Sequence, residues 1–433
     1  MAPRLLCGRS QSADYASDLL IGQIDRCDCL YYAAFAVYLI QYTLETSNFM
    51  LLTSVQVPAF CNTAKVACAF LLLLKLLTQR YGRREIARIG LIGALTVCCL
   101  CFSQSQHLGF ISLFIVAAQG VSMRKMVRIA LVVQSSMFVL VVASSLDGLI
   151  PMTVVERGDG GARYSMGYKH PNNMSLALVS ICCNYMVLHY AGMRRMGWGI
   201  YGIALTLCAT VSDSRTSMML ILLIVTISAY GEKAGKAKNQ GNVSRLFFSI
   251  YVLIALLSLF FMFFYNEHNS LEKAVNGLVS SRFELAHKYY EYYGISPFGV
   301  DCDADPVVVG RYALPVIDNA FANAFIRYGL LPTALFLTAY GLRLKRACDS
   351  GRVDICTLGL FVCAVMAVTE TQAFHLGINV YLIGLAQFVF CDADVPSLWR
   401  VPAGRIKRLY YPDEGLGGAM SAIARRILSI ARP

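Results

Sequence analysis

The sequence predicts an all-α polytopic membrane protein of about twelve transmembrane helices, each needing about 20 residues to cross. Three observations carry that expectation. The 433 residues are 57% hydrophobic and only 15% charged, where a soluble domain has about 25% charged residues. Mean hydropathy is +0.56, and the apolar segments recur along the whole length. The cations between those segments alternate in abundance from one connection to the next, as the positive-inside rule requires of a chain that weaves through a bilayer.

Residues 1–29 carry Arg4, Arg9 and Arg26 among Asp14, Asp18, Asp25 and Asp28, with no apolar run. This pattern is not that of a cleavable signal peptide and is expected to be a cytoplasmic lead-in. The membrane domain is expected over 30–391. Apolar spans are expected near residues 30–44, 63–77, 89–103, 108–119, 129–146, 174–190, 198–211, 217–230, 246–265, 320–342, 355–369 and 378–390. Arg80, Arg83, Arg84 and Arg88 fall on one side with Arg124, Lys125, Arg128, Arg194, Arg195, the 233–245 stretch, Arg343, Lys345 and Arg346. Most of the 38 Lys+Arg lie there, which makes that side cytoplasmic and places both termini on it. Residues 392–433 form a basic cytoplasmic tail. Within it Met420–Ile430 has the pattern of an interfacial amphipathic helix, and a solvated basic tail explains the same composition.

Most of the 16 cysteines sit inside apolar runs and act there as small hydrophobes. No disulfide framework and no zinc spacing is implied. Asp301-Cys-Asp-Ala-Asp305 places carboxylates at alternate positions, but the glycine and closing glutamate of a calcium loop are missing, so a solvated acidic turn is expected and no metal.

The polar residues that stand out lie in the outer connections. Two of these are long, 147–173 and 266–319. The first ends in Arg163-Tyr-Ser-Met-Gly-Tyr-Lys-His-Pro-Asn-Asn173, where Arg163, Lys169 and His170 bring cationic and titratable groups to the membrane boundary. Pro171-Asn172 predicts a helix start, whose backbone N–H groups favour an anion. A capped connector with incidental charges would look the same. The second loop is long enough for a small helical cap, with Leu271, Val275 and Leu278 at helical spacing. Phe283, Leu285, Tyr289, Tyr290, Tyr292 and Tyr293 are expected to form an interfacial belt rather than to stack on sugars.

Arg215 sits in Ser212-Asp-Ser-Arg-Thr-Ser217, a polar knot between apolar segments, where Asp213 is placed to orient it or simply to pair with it. Ionisable groups at membrane depth mark functional sites. Arg163, Arg215, Arg282, Arg311 and Arg327 together supply the planar forks that suit bidentate contact with phosphate oxygens. Asp318 and Asn319 are expected to cap the helix that follows them. Near arginines the Asp318 pKa is expected to fall, which weakens it as a base.

The order of these stretches resembles the O-antigen ligase/polymerase superfamily, most closely its Wzy-type polysaccharide polymerase branch. The order is an Arg before Gly-x-x-His-Pro-Asn, then Ser-Asp-Ser-Arg-Thr-Ser. An Arg-led helix follows, running into Ile295-Ser-Pro-Phe-Gly299, and then Asp-Asn ahead of Arg327-Tyr-Gly329. The match covers about residues 163–329 by motif and nearly the whole chain by topology. It implies a GT-C-like membrane glycosyltransferase in the bacterial cytoplasmic membrane, metal-independent and without a cofactor. The implied substrates are undecaprenyl-diphosphate-linked repeat units, polymerised on the outer face into capsule, exopolysaccharide or O-antigen. Membrane lipids, a flippase and a chain-length regulator are the implied partners, and nucleic acid is not one. The implied polar site comprises Arg163, Arg215 and Arg282 for the diphosphate and His170 and Asp318 for catalysis, with Lys169, Asn172, Asp213, Asn319 and Arg327 supporting. His170 is the expected base or diphosphate ligand, and Asp318 the orienting group or alternate base. Family ligases carry His-Asn where this chain has Asp318-Asn319. A ligase with another acceptor, or a flippase or transporter, is the alternative function.

Overall fold

A computed structural model describes residues 26–390, apart from 53–55, 157–160, 191, 235–239, 304–307, 310–311, 314–316 and 352. The expected lead-in through residue 25, the basic tail 392–433 and Arg311 lie outside the described residues.

The chain is mostly helical. A helix occupies each of the first nine expected segments: α1 (Arg26–Thr46), α2 (Val57–Thr78), α3 (Arg83–Ser103), α4 (Gln106–Val116), α5 (Met123–Leu146), α6 (Pro171–His189), α7 (Arg195–Thr210), α8 (Arg215–Ala234) and α9 (Gln240–Phe264). Among the described residues, four helices are long and apolar enough to cross a membrane: α2, α3, α5 and the 241–264 part of α9. Their outward faces carry Val66, Phe70 and Leu77, Ile86, Val97 and Phe102, Val132 and Val139, and Leu256, Phe260 and Phe264, all exposed. A water-soluble monomer rarely leaves so many large apolar side chains open. Helices, which satisfy their backbone internally, are the form such surfaces take in lipid.

The interior is built from α6, α14 (Ile355–Met366) and the segment after it. These are buried on nearly every side. The last expected span is not an α-helix. It is a 3-10 turn over Val380–Ala386 followed by the single turn α15 (Gln387–Phe390). Side chains from neighbouring helices take up the polar groups that this unwound backbone frees. Gln134 donates to the Gly377 carbonyl at 2.7 Å and accepts from Ser180 and Asn184. Ser180 also reaches the Ile378 carbonyl, and Tyr381 donates to Asn184 at 2.7 Å. Irregular backbone at membrane depth persists only where protein buries it in this way.

The tenth expected span is broken as well. A short α12 (Ala320–Asn323) runs into a π turn over Ala324–Tyr328, and α13 (Leu330–Ser350) restarts after Gly329. Thr333 donates to the Ala324 carbonyl that the wide turn leaves open. The break has a local and a tertiary component: Pro332 lacks the N–H that would continue the helix onto the Tyr328 carbonyl, and another segment docks at the gap. Ser296–Val300 docks on it backbone to backbone, with Val300 N–H on the Ile326 carbonyl and Leu330 and Leu331 N–H on those of Ser296 and Pro297. Gly299 and Gly329 both have positive φ, and a Cβ on Gly329 would sit 2.2 Å from the Gly299 nitrogen. Gly329→Ala is therefore expected to lose about 3 kcal/mol or more through clash and backbone strain. The measurement is the melting temperature of the detergent-solubilised protein, and a wild-type value would refute the docking.

The two long loops hold most of the remaining structure. In the first, β1 (Val154–Glu156) pairs antiparallel with β2 (Ala162–Tyr164). In the second, α10 (Ser270–Leu278) and α11 (Arg282–Tyr293) supply the expected helical cap, ahead of a two-residue hairpin, β3 (Val308–Val309) and β4 (Tyr312–Ala313). The aromatics of α11 mostly pack it down instead of standing free. Phe283 stacks on Phe261 at 4.5 Å, and Tyr290 meets Phe263 edge-on.

Candidate functional site

The candidate site lies where the first loop, the second loop and the connection after α14 meet. Arg163, on β2, is held by strapping that hairpin onto the 212–217 turn. Tyr164 N–H bonds the Val211 carbonyl, and Arg163 Nε donates to the Ser212 carbonyl at 2.7 Å. Its terminal nitrogen donates to Asn172 Oδ1.

His170, not Asn172, is the N-cap of α6, with Pro171 at the first helical position. The Asn172 N–H donates to His170 Nδ1 at 3.1 Å, and Asn173 N–H to the His170 carbonyl. Two of the N–H groups expected to face an anion are therefore already used. The occupied Nδ1 has a second consequence. Neutral His170 carries its proton on Nε2 and offers a donor there. Burial, and then the Arg163 charge, lower its pKa, so the ring stays neutral at physiological pH. Lys169 is exposed beside it. Asp213 adopts a left-handed backbone at φ 42°, turning the chain so that Arg215 opens α8 as an exposed side chain.

Arg282 is the most enclosed of the site arginines. It begins α11 directly after Ser280 and Ser281, both left-handed at φ 56° and 62°. Two such non-glycine residues in succession need an external hold. Asn276 provides it by accepting from the N–H groups of Phe283 and Glu284 while its amide donates to Tyr265. Arg282 Nε then donates to the Thr369 carbonyl at 2.6 Å, and another nitrogen meets Glu370 Oε1 at 3.3 Å. Asp318 Oδ2 stands 3.5 Å from Nε.

Asp318 departs from expectation in two ways. Asn319 alone caps α12, accepting from Ala322 N–H while its amide holds Ser258 and the Val368 carbonyl. Asp318 is left to face Arg282. Its pKa is raised, not lowered, because burial outweighs the attraction of Arg282. The side chain still keeps 41% of its surface open. Protein crowds the carboxyl from one side and leaves the other open.

Glu370 was not singled out from the sequence. Its side chain is 8% exposed. Burial pushes its carboxyl up to about 8 against the pull of Arg282 and, more weakly, Arg163, with Asp318 adding to the rise. The first loop reaches this connection through Gln372, two residues on, whose Nε2 donates to Asn173 Oδ1 at 2.7 Å, so the Arg163 charge as well as that of Arg282 acts on the buried acid. A lone glutamate between two apolar segments, on the same side as 147–173 and 266–319 by alternation, was the available signal.

Arg327 lies apart from this cluster. It forms a bidentate pair with Asp303 at 2.7 and 2.8 Å, while Asp301 accepts the Asp303 N–H. Both Asp303 oxygens are engaged by an arginine, and Asp305 lies outside the described residues. Compared with family models, curated proteins and solved structures, the chain matches none.

Proposed function

We propose that the chain is a GT-C-type membrane glycosyltransferase that polymerises undecaprenyl-diphosphate-linked oligosaccharide repeat units into a surface polysaccharide. In this proposal it spans the bacterial cytoplasmic membrane about twelve times, with both termini inside and both long loops outside. The observation that carries it is the convergence of Arg163, His170, Arg282, Asp318 and Glu370 from three separate connections.

The chemistry follows from their states. The donor is the growing chain on its lipid diphosphate, and the acceptor is a hydroxyl of the incoming unit. The acceptor oxygen bonds to the anomeric carbon, the bond to the diphosphate oxygen breaks, and the acceptor proton passes to a base. Arg282 and Arg163, with exposed Arg215 at the rim, stabilise the charge that develops on the departing diphosphate. His170 donates its Nε2–H to the same group. Glu370, protonated at neutral pH, does not cancel Arg282 and so leaves its charge available to the anion. Asp318 takes the acceptor proton. It is the carboxylate with an open face, and its raised pKa strengthens it for that task. Purified protein in liposomes, supplied only with lipid-linked repeat units, is expected to give a ladder of products. Failure to form any product longer than one unit would overturn the proposal.

One observation favours a second reading, a transporter of the same lipid. The unwound stretch from Thr371 to Ala386 lies among buried polar side chains, as in carriers with discontinuous helices. The donors and acceptors of Gln134, Ser180 and Asn184 are largely spent on one another and on that backbone, which supports a structural role. Transbilayer movement of the lipid without a ladder would decide for the transporter.

A further inference from the structure

A second polar recess adjoins the Glu370–His375 connection. It is a half-open cleft of about 270 Å³ between the last turns of α1, Lys65 of α2, the start of α4, and the Asp303–Arg327 pair. Tyr38 and Gln41 from α1 line it, with Glu45, Gln106, Asp303 and Arg327. Gln372 joins it to the site: Tyr42 of α1 donates to Gln372 Oε1 at 2.9 Å, and Gln372 Nε2 donates to Asn173 Oδ1 at 2.7 Å. His107 of the cleft stacks on His375 at 3.9 Å.

We infer that this cleft binds a neutral sugar of the acceptor unit. The cleft's charges come in opposed pairs. Glu45 meets Lys65 at 2.5 Å, Lys65 also reaches Gln106 at 3.0 Å, and Asp303 holds Arg327. Such a recess has little net attraction for a diphosphate, unlike the Arg163–Arg282 cluster. It offers carboxylate and amide oxygens to hydroxyl protons, N–H groups to hydroxyl oxygens, and the Tyr38–Phe110 ring pair, 5.3 Å between centroids, to a C–H face.

One buried donor at this wall lacks a protein partner among the described residues: Gln41 Nε2 has none although Gln41 is 2% exposed. A buried donor without a partner is costly, and a ligand oxygen at this wall removes the cost. The volume is just below the range of about 300–1,000 Å³ typical of drug-sized ligands, which suits one or two sugar rings. Placing the acceptor here rests on the polymerase proposal; saccharide binding itself does not.

The test separates the two. The probe is the repeat-unit oligosaccharide freed from its lipid by mild acid, titrated into the full-length protein in a detergent without a sugar headgroup. Wild type is expected to bind it. Gln41→Leu and Gln106→Ala are each expected to weaken binding at least tenfold while leaving undecaprenyl diphosphate binding within twofold. Gln106 is exposed, so its variant reports even if Gln41→Leu does not fold. Absence of oligosaccharide binding by wild type, or equal binding by the folded variants, would overturn the subsite. Sugar binding that persists without any product ladder would instead retain the subsite and reject the polymerase.

Discussion

Arg282→Lys is expected to reduce polymer formation by about 10²–10³-fold, the usual cost of removing one preorganised group that stabilises developing charge. Lysine keeps the charge but not the fork. Arg282 uses separate nitrogens for the Thr369 carbonyl and for Glu370, and Asp318 lies 3.5 Å from the same Nε. A single ammonium cannot hold that geometry and still face a diphosphate. Because Arg282 also joins α11 to the 369–370 connection, part of any loss can be structural. Arg163→Lys separates the effects, since Arg163 is only half-buried and stands on the β1–β2 hairpin, with bonds to Ser212 and Asn172 in place of the Thr369 and Glu370 bonds of Arg282. Steady-state rates on lipid-linked units, with melting temperatures of both variants, make the measurement. Wild-type rates in both folded variants would remove the arginines from the mechanism.

The helical skeleton was largely legible in the sequence, because long apolar runs and cation alternation are properties of the chain itself. What the sequence could not display was the effect of one segment on another. The 320–342 stretch is apolar enough for one span and carries its own break signal in Gly329 and Pro332; what the sequence did not show is that Ser296–Val300 docks backbone to backbone at that break. The stretch after residue 376 is apolar enough for a helix, yet side chains more than 190 residues distant in sequence, Ser180 and Asn184, help hold it unwound.

At the candidate site, residue types were legible and states were not. Arg163 and His170 share one motif, and the structure gives them a common partner in Asn172. Arg282 and Asp318, distant in sequence, also meet. The sign of the Asp318 shift depends on burial set against one arginine, a balance that spacing does not encode. His170 changes from a candidate base to a donor through one backbone N–H on Nδ1. Glu370 escaped notice because no motif surrounds it; its significance arises from Arg282, Asp318 and Arg163 gathering around it.

The sharpest consequence of that gathering is a bell-shaped pH dependence of kcat/KM whose two limbs belong to different carboxyls. Asp318 must be ionised to accept a proton. Its pKa lies above its ordinary 3.8, so activity should rise with pH through an acidic limb displaced upward from that value. Glu370 acts in the opposite sense. Below about 8 it is protonated and leaves Arg282 uncancelled. As pH rises through that value it ionises, neutralises the anion seat and repels the diphosphate, so activity should fall. Asp318→Asn is expected to lower the rate by about 10²–10⁴-fold, the range for loss of a general base, and to abolish the acidic limb. Glu370→Gln keeps a neutral, hydrogen-bonding group of nearly the same shape. It should retain most of the activity near pH 7 and lose the alkaline limb. A Glu370→Gln enzyme that keeps its alkaline limb, or an Asp318→Asn enzyme within about threefold of wild type, well short of the general-base range, would show that the two carboxyls do not divide the work in this way.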